Sequence, residues 1–169
     1  MSDMTPAKTL AIIWYSHTGG SRQLAEAARD GAREAADIAV HLLKAEEAQA
    51  EDLLCADGYI FACPENLAAI AGVMKAFFDR TYYAVLGKIE ARPYAAMICA
   101  GSDGENAMRQ LERIATGWRL RRVADTIIVN VHAQTKEEIL APKTISETEL
   151  ARAREIGATL AAGLEMGVF

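Results

Sequence analysis

The chain has 169 residues, 51% of them hydrophobic and 24% charged, which suits one globular domain with a sizeable core. A net charge of −5 argues against a nucleic-acid partner, whose phosphates demand clustered cations. No apolar run approaches the ~18 residues of a membrane span. Cys55, Cys63 and Cys99 offer no disulfide framework and no metal-ligand spacing, so a reducing cytoplasm is the simplest home. Met1 to Lys8 carries Asp3 and leads into no cleavage pattern, so no export signal is expected.

Taken in chain order, strand and helix patterns alternate. Leu10 to Tyr15 is continuously apolar, as a strand covered on both faces should be. Gln23 to Ala36 reads as a helix, with Leu24, Ala28, Ala32 and Ala35 on one face and Arg22, Glu26, Arg29, Asp30 and Arg33 on the other. Ile38 to Leu43, broken by polar His41, reads as an edge strand, and Glu46 to Leu54 as a short helix. Tyr59 to Cys63 reads as a third strand that Pro64 should stop. Ile70, Val73, Met74, Phe77 and Phe78 then repeat at helical spacing. Tyr94 to Ala100 is a fourth strand. Glu105 to Gly117 is a helix with Met108, Leu111, Ala115 and Trp118 on one stripe, and Thr126 to Val131 is a fifth strand. Beyond a loop containing Pro142, Ser146 and Glu149 read as a capping box for a last helix ending near Met166.

Strands separated by helices imply right-handed crossovers and a parallel sheet, hence a three-layer α/β fold. Five strands suit the order 2-1-3-4-5, with ligands at the carboxyl ends of strands 1 and 3. No repeat, low-complexity stretch or linker divides residues 1–169, which read as a single domain.

The loop after the first strand is the most informative segment. Ser16-His17-Thr18-Gly19-Gly20-Ser21 puts hydroxyls and glycines where a strand ends and a helix starts. The first turn of a helix has unpartnered N–H groups and partial positive charge, and glycine allows close approach or positive φ. An anion site results, with phosphate its natural guest. The plainer reading makes Ser21 an ordinary N-cap, but three hydroxyls and two glycines exceed what a cap needs. The run has neither G-x-G-x-x-G nor a lysine after the glycines. It therefore suits a monophosphate held by backbone and hydroxyl groups. In this sheet the loops Cys63-Pro64-Glu65-Asn66-Leu67-Ala68 and Gly101-Ser102-Asp103-Gly104-Glu105-Asn106 share the same edge. Together with the first loop they could surround a phosphate at one end and a flat ring at the other.

These segments resemble a known family. Ser16-x-Thr18-Gly19-x-Ser21 looks like the phosphate loop of flavodoxins, with Ser for the usual final Thr. Pro64-Glu65-Asn66 through Met74-Lys75-Ala76-Phe77-Phe78-Asp79-Arg80 is similar to the corresponding segment of NAD(P)H-dependent FMN reductases and related quinone reductases. Ala100-Gly101-Ser102-Asp103-Gly104 resembles their third flavin loop. The resemblance covers almost the whole chain and implies a flavodoxin-like fold with bound FMN. It implies that Ser16, Thr18, Gly19 and Ser21 hold the phosphate, with backbone from His17 and Gly20. It further implies that Pro64, Glu65, Asn66 and Leu67 line the ring and that Gly101, Ser102, Asp103 and Gly104 close its other side. Phe77, Phe78 and Asp79 fit helix packing and surface pairing better than flavin contact.

The departures from one-electron flavodoxins are informative. Pro64 to Ala69 contains no Gly for the peptide flip those proteins use, although Asn66 tolerates positive φ better than most residues. Both ring loops lack Trp, Tyr and Phe, and the chain is less acidic than such carriers usually are. All three features favour an open flavin face. The reading that follows is an FMN-dependent NAD(P)H oxidoreductase that reduces a quinone, nitro compound or free flavin; the alternative is a flavodoxin-type one-electron carrier serving a redox partner protein. A non-flavin protein using the first loop for another phosphorylated ligand is a further alternative. A short connection after strand 4 departs from the quinone-reductase group, and reductases of this kind often dimerise over the flavin edge, so a homodimer is an expected assembly. The flavin carries the chemistry, and no side-chain acid or base and no metal ligand is named.

Several residues keep two readings. His17 suits a phosphate or flavin contact or a solvated loop, and Glu65 a ring-edge contact or water. His41 and His132 read as structural or exposed. Cys63 stands at the expected mouth without a paired base, which favours a small buried cysteine over thiol catalysis. Arg119, Arg121 and Arg122 suit a solvated face better than a nicotinamide cofactor's phosphate. Tyr82 and Tyr83 suit packing better than a cover for a neighbouring subunit's flavin.

Overall fold

The computed structural model describes residues 7–169, so the reading of Met1 to Lys8 falls mostly outside the described residues. The apolar run became β1 (Thr9–Trp14), flanked by β2 (Ala39–Lys44) and β3 (Gly58–Asn66). Beyond β3 lies β5 (Pro93–Ala100), and β7 (Ile127–Asn130) pairs with β5. Every one of these pairs is parallel, which reproduces the expected 2-1-3-4-5 order. Two short additions were not expected and bring the sheet to seven strands: β4 (Ala69–Ile70), antiparallel to the end of β3, and β6 (Arg121–Arg122), parallel to the start of β5.

Strand β3 continues through Pro64 to Asn66 rather than stopping before it. The reason is geometric. The last β1 partner of β3 is Ala62, so the N–H that Pro64 lacks is missed by no neighbour on that side. On the other side Pro64 still pairs with Cys99.

Helices α1 (Gly20–Ala35) and α6 (Glu147–Met166) cover one face of the sheet. Leu24, Ala28 and Ala32 are buried as expected, whereas Ala35 is exposed. Two glycines let these helices meet backbone to backbone. A Cβ on Gly31 would lie 2.1 Å from the Arg154 carbonyl oxygen, and one on Gly157 would lie 1.8 Å from that of Ala28. The opposite face carries α2 (Ala50–Cys55), α3 (Gly72–Val85) and α4 (Glu105–Gly117), packed through larger side chains. Phe61, Phe77, Phe78, Met74 and Trp118 are buried there, with Phe78 edge-on to both Phe61 and Trp118 at 5.2 Å. Ile70, expected in the helix, belongs to β4. At the last helix Ser146 Oγ accepts the Glu149 N–H, as its sequence spacing suggests.

Candidate functional site

The carboxyl ends of β1, β3 and β5 bring the three loops to one sheet edge, where they wall a cleft of about 100 Å³. His17, Thr18, Pro64, Glu65, Asn66 and Gly101 line it, together with Cys99 and Ala100. Typical small-molecule pockets hold ~300–1,000 Å³, so a mononucleotide would extend beyond this cleft.

The anion loop is built around Gly19. Its φ of 95° makes it the N-cap of α1, and its N–H donates to Ser16 Oγ at 3.0 Å. The left-handed turn brings Gly20 against β5, where a Cβ would stand 2.6 Å from Cys99 Sγ and would force that side chain to shift. Ser21 is therefore not the N-cap but lies inside the first helical turn. It is 1% exposed, and its Oγ has no hydrogen-bond partner among the described residues. Burying an unpartnered hydroxyl costs about 1–3 kcal/mol. A phosphate oxygen would supply the missing partner. The N–H groups of Gly20, Ser21 and Arg22 have no protein acceptor among the described residues either, as first-turn groups of a helix do not. This donor set fits an anion of phosphate type, and His17 is exposed at its rim.

The second loop is a hairpin. Glu65 pairs with Ile70 and Asn66 with Ala69, leaving Leu67 and Ala68 at the turn with φ of 50° and 60°. Positive φ thus falls on these two residues and not on Asn66. Turns of this kind favour Asn-Gly, and a side chain at positive φ is strained. Leu67 is fully exposed at the hairpin tip and does not line the cleft. Three bonds anchor the hairpin to α4: Glu65 Oε2 accepts the Gly104 N–H at 3.0 Å, Asn106 Nδ2 donates to the Ala68 carbonyl, and Gln110 Oε1 accepts the Ile70 N–H at 2.9 Å. Glu65 thus ties the hairpin to the N-terminus of α4, where a carboxylate is favoured, while it lines the cleft.

In the third loop Gly104, at φ 91°, is the N-cap of α4, and a Cβ there would meet Ile128 Cγ2 at 2.7 Å. Ser102 and Asp103 are exposed, and the Ser102 carbonyl accepts a bond from Asn130 Nδ2.

A fourth wall was not read from the sequence. The strap Val131–Ile145, with α5 (Lys136–Leu140) inside it, brings Val131, Ala133, Ile139 and Lys143 to the cleft. Its start is tied down by Ala133 N–H to the Gly101 carbonyl at 3.0 Å. The Thr135/Glu138 capping box that opens α5 was a legible signal; Lys143 had none.

Burial pushes the Cys63 thiol up to about 12, and burial, opposed by the Lys143 charge, takes Cys99 to about 11. Both stay neutral thiols at ordinary pH, unsuited to nucleophilic work. The arginine cluster lies at the other edge: β6 pairs with the start of β5, Arg122 bonds Glu112 at 2.7 Å, and Arg119 bonds Glu90 at 3.1 Å. Among the described residues no three His, Cys, Asp or Glu side chains are grouped to hold a metal, and no helix is long and apolar enough to cross a membrane.

Comparison with known proteins agrees with this geometry. A flavodoxin of Aquifex aeolicus is 32% identical over 93 residues, 55% of this chain, and the match spans half the length of that relative. Among solved structures, a flavodoxin from the domain Archaea superposes with a TM-score of 0.77 at 15% identity, covering 92% of this chain and 98% of that one. A WrbA-like flavodoxin from Agrobacterium tumefaciens gives 0.66 at 18% identity, covering 95% and 99%. A flavodiiron core from Synechocystis gives 0.77 at 21% identity, covering 95% of this chain and 37% of that one. These structural likenesses establish the flavodoxin-like fold. Residues 45–135, more than half of the chain and inclusive of the second and third loops, match the family described as NADPH-dependent FMN reductase, and the chain belongs to that family.

Proposed function

We propose that residues 1–169 form one FMN-binding domain of an oxidoreductase that uses NAD(P)H to reduce a quinone, nitro or flavin acceptor. The observation that carries this reading is the cleft lining, which contains no Trp, Tyr or Phe. A ring held between Pro64–Asn66 and Gly101–Gly104 would keep a face open to a second flat molecule. When bound, FMN supplies the electron-transfer chemistry. The chain's own residues bind and orient. Ser16, Thr18 and Ser21 offer hydroxyls to the phosphate, and Gly20, Ser21 and Arg22 offer N–H groups from a helix N-terminus. Gly19, Gly20 and Gly104 permit the backbone approach, and Glu65 fixes the second loop to the third. No side chain is assigned a proton-transfer role. The three cysteines are free, in keeping with a cytoplasmic setting.

A second reading has its own observation. Leu67 on the hairpin is fully exposed and Ile139 and Leu140 on the strap are half exposed, so the hairpin and the strap each present aliphatic surface to a redox partner protein. That arrangement suits a flavodoxin-type carrier. An absorption spectrum with and without FMN, followed by anaerobic NADPH and NADH, separates the two. Flavin absorption that appears on binding and bleaches directly with nucleotide supports the reductase. Bound flavin that ignores both nucleotides supports the carrier, and failure to bind FMN removes both.

A further inference from the structure

The strap is fastened to the anion loop chiefly through one side chain. Gln23, in the first turn of α1, donates from Nε2 to the Gly19 carbonyl at 2.9 Å and to the Lys143 carbonyl at 2.7 Å. Its Oε1 accepts the Ile145 N–H at 3.2 Å. Beside it, the Lys143 N–H donates to the Thr18 carbonyl at 2.9 Å. The Lys143 ammonium turns back to the carbonyls of Glu138, Ile139 and Ala141 at 2.6, 3.0 and 2.6 Å, which holds the strap in a closed turn. Ile145, just after it, is buried against the α1 face.

These bonds set the polarity of the loop. A trans peptide holds its C=O and N–H on opposite sides. The Thr18 carbonyl accepts the Lys143 N–H of the strap, and the Gly19 carbonyl accepts the Gln23 N–H of α1 at 3.2 Å as well as Gln23 Nε2. The N–H groups of the same two peptides, on Gly19 and Gly20, must face the other way. The Gly19 N–H meets Ser16 Oγ, and the Gly20 N–H has no protein acceptor among the described residues. A loop whose successive N–H groups converge attracts an anion; either carbonyl turned inward would repel it. The anion loop has no lysine of its own; the cations beside it are Lys143, on the cleft lining, and Arg22, paired with Glu26 at 3.9 Å, and backbone dipoles add to them.

We propose that Gln23 is a positioning residue for the phosphate end of the ligand, acting through residues 143–145 of the strap to hold the Thr18 carbonyl away from the anion. The inference rests on the FMN reading above and assigns Gln23 to the phosphate, not to the flavin ring. Riboflavin, which lacks the phosphate, is therefore the discriminating ligand.

The experiment titrates the wild-type chain, Gln23→Met and Lys143→Met with FMN, riboflavin and inorganic phosphate, and follows amide hydrogen exchange at Lys143 and Ile145. Gln23→Met should weaken FMN and phosphate about tenfold while riboflavin changes by less than about twofold. The Lys143 and Ile145 amides should exchange faster. Lys143→Met, measured at high salt to screen the lost charge, should move FMN in the same direction by a smaller factor. It also carries the test if Gln23→Met does not fold. Equal losses for FMN and riboflavin, or unchanged FMN affinity in both variants, overturn the assignment. A wild-type chain that binds riboflavin as well as FMN and ignores phosphate overturns the phosphate reading of the loop itself, and the role of Gln23 with it.

Discussion

The two faces of the sheet are packed in different ways. On the α1/α6 face, contact is backbone against backbone: Gly31 and Gly157 seat each helix on the main chain of the other, and the surrounding core is small, with Ala25, Ala28, Ala32, Ala153 and Ala161. On the α2–α3–α4 face, contact is side chain against side chain, through an aromatic cluster that runs from Tyr59 to Trp118. There α3 and α4 leave between them an open groove of about 420 Å³, floored by Ile70 and Ile114 and flanked by Lys75 and Arg113. The difference bears on function. Helix α1, which leaves the anion loop, is locked against α6. Helices α3 and α4, which leave the second and third loops, sit on the face packed through side chains. The first loop thus runs into a helix seated by main-chain contact, while the second and third loops are joined by side-chain hydrogen bonds to α4.

The strongest way to break this comparison is Gly157→Ala. Its new Cβ would collide with a backbone carbonyl that cannot yield without parting α1 from α6. A loss of about 3 kcal/mol or more is expected, read as a fallen urea midpoint or failure to accumulate folded protein. On the other face, Phe78→Leu should cost only about 1–1.5 kcal/mol, because neighbouring side chains can shift into the space. If the two variants lost stability equally, the distinction between the faces would be wrong.

Alkaline pH sharpens the comparison further. Cys63 lies in the aromatic core and holds its proton to about 12 against an ordinary 9.0, through burial. The unfolded thiol ionises first, so this contribution to stability is complete below about pH 9 and is lost as pH rises toward 12. The loss is at most about 1.4 kcal/mol per pH unit for each thiol. Thermal melts should therefore fall above pH 9, and Cys63→Ala should flatten that slope more than Cys99→Ala, whose thiol reaches only about 11. A slope untouched by Cys63→Ala would assign the loss elsewhere, Tyr59 being the other deeply buried group raised to about 12. The smallest perturbation is alkylation of the native protein. Exposed Cys55 should react alone, and Cys63 and Cys99 only after unfolding, as counted by mass spectrometry. Early modification of Cys99 would mean that the strap over the cleft opens more readily than its hydrogen bonds suggest.

By itself the sequence determined what local chemistry and periodicity can carry. Continuous apolar runs such as Leu10 to Tyr15 marked buried parallel strands, and their alternation with amphipathic segments marked a parallel sheet, whose order followed from the flavodoxin-like pattern. Hydroxyls and glycines between a strand and a helix marked the anion loop. Only the tertiary structure decided the features that depend on residues far apart in the chain. Gly31 and Gly157 reveal their purpose only when α1 meets α6. Pro64 stays inside its strand because β1 has already ended. Glu65 found the Gly104 N–H when α4 arrived beside it, and Leu67 was turned out of the cleft by a hairpin that no local signal announced. Gln23 and Lys143, 120 residues apart, meet only because the strap after β7 returns across the anion loop. Local patterns record which backbone states and faces a segment prefers; long-range packing decides which neighbour each polar atom finds, and at this site those neighbours set the direction of the dipoles.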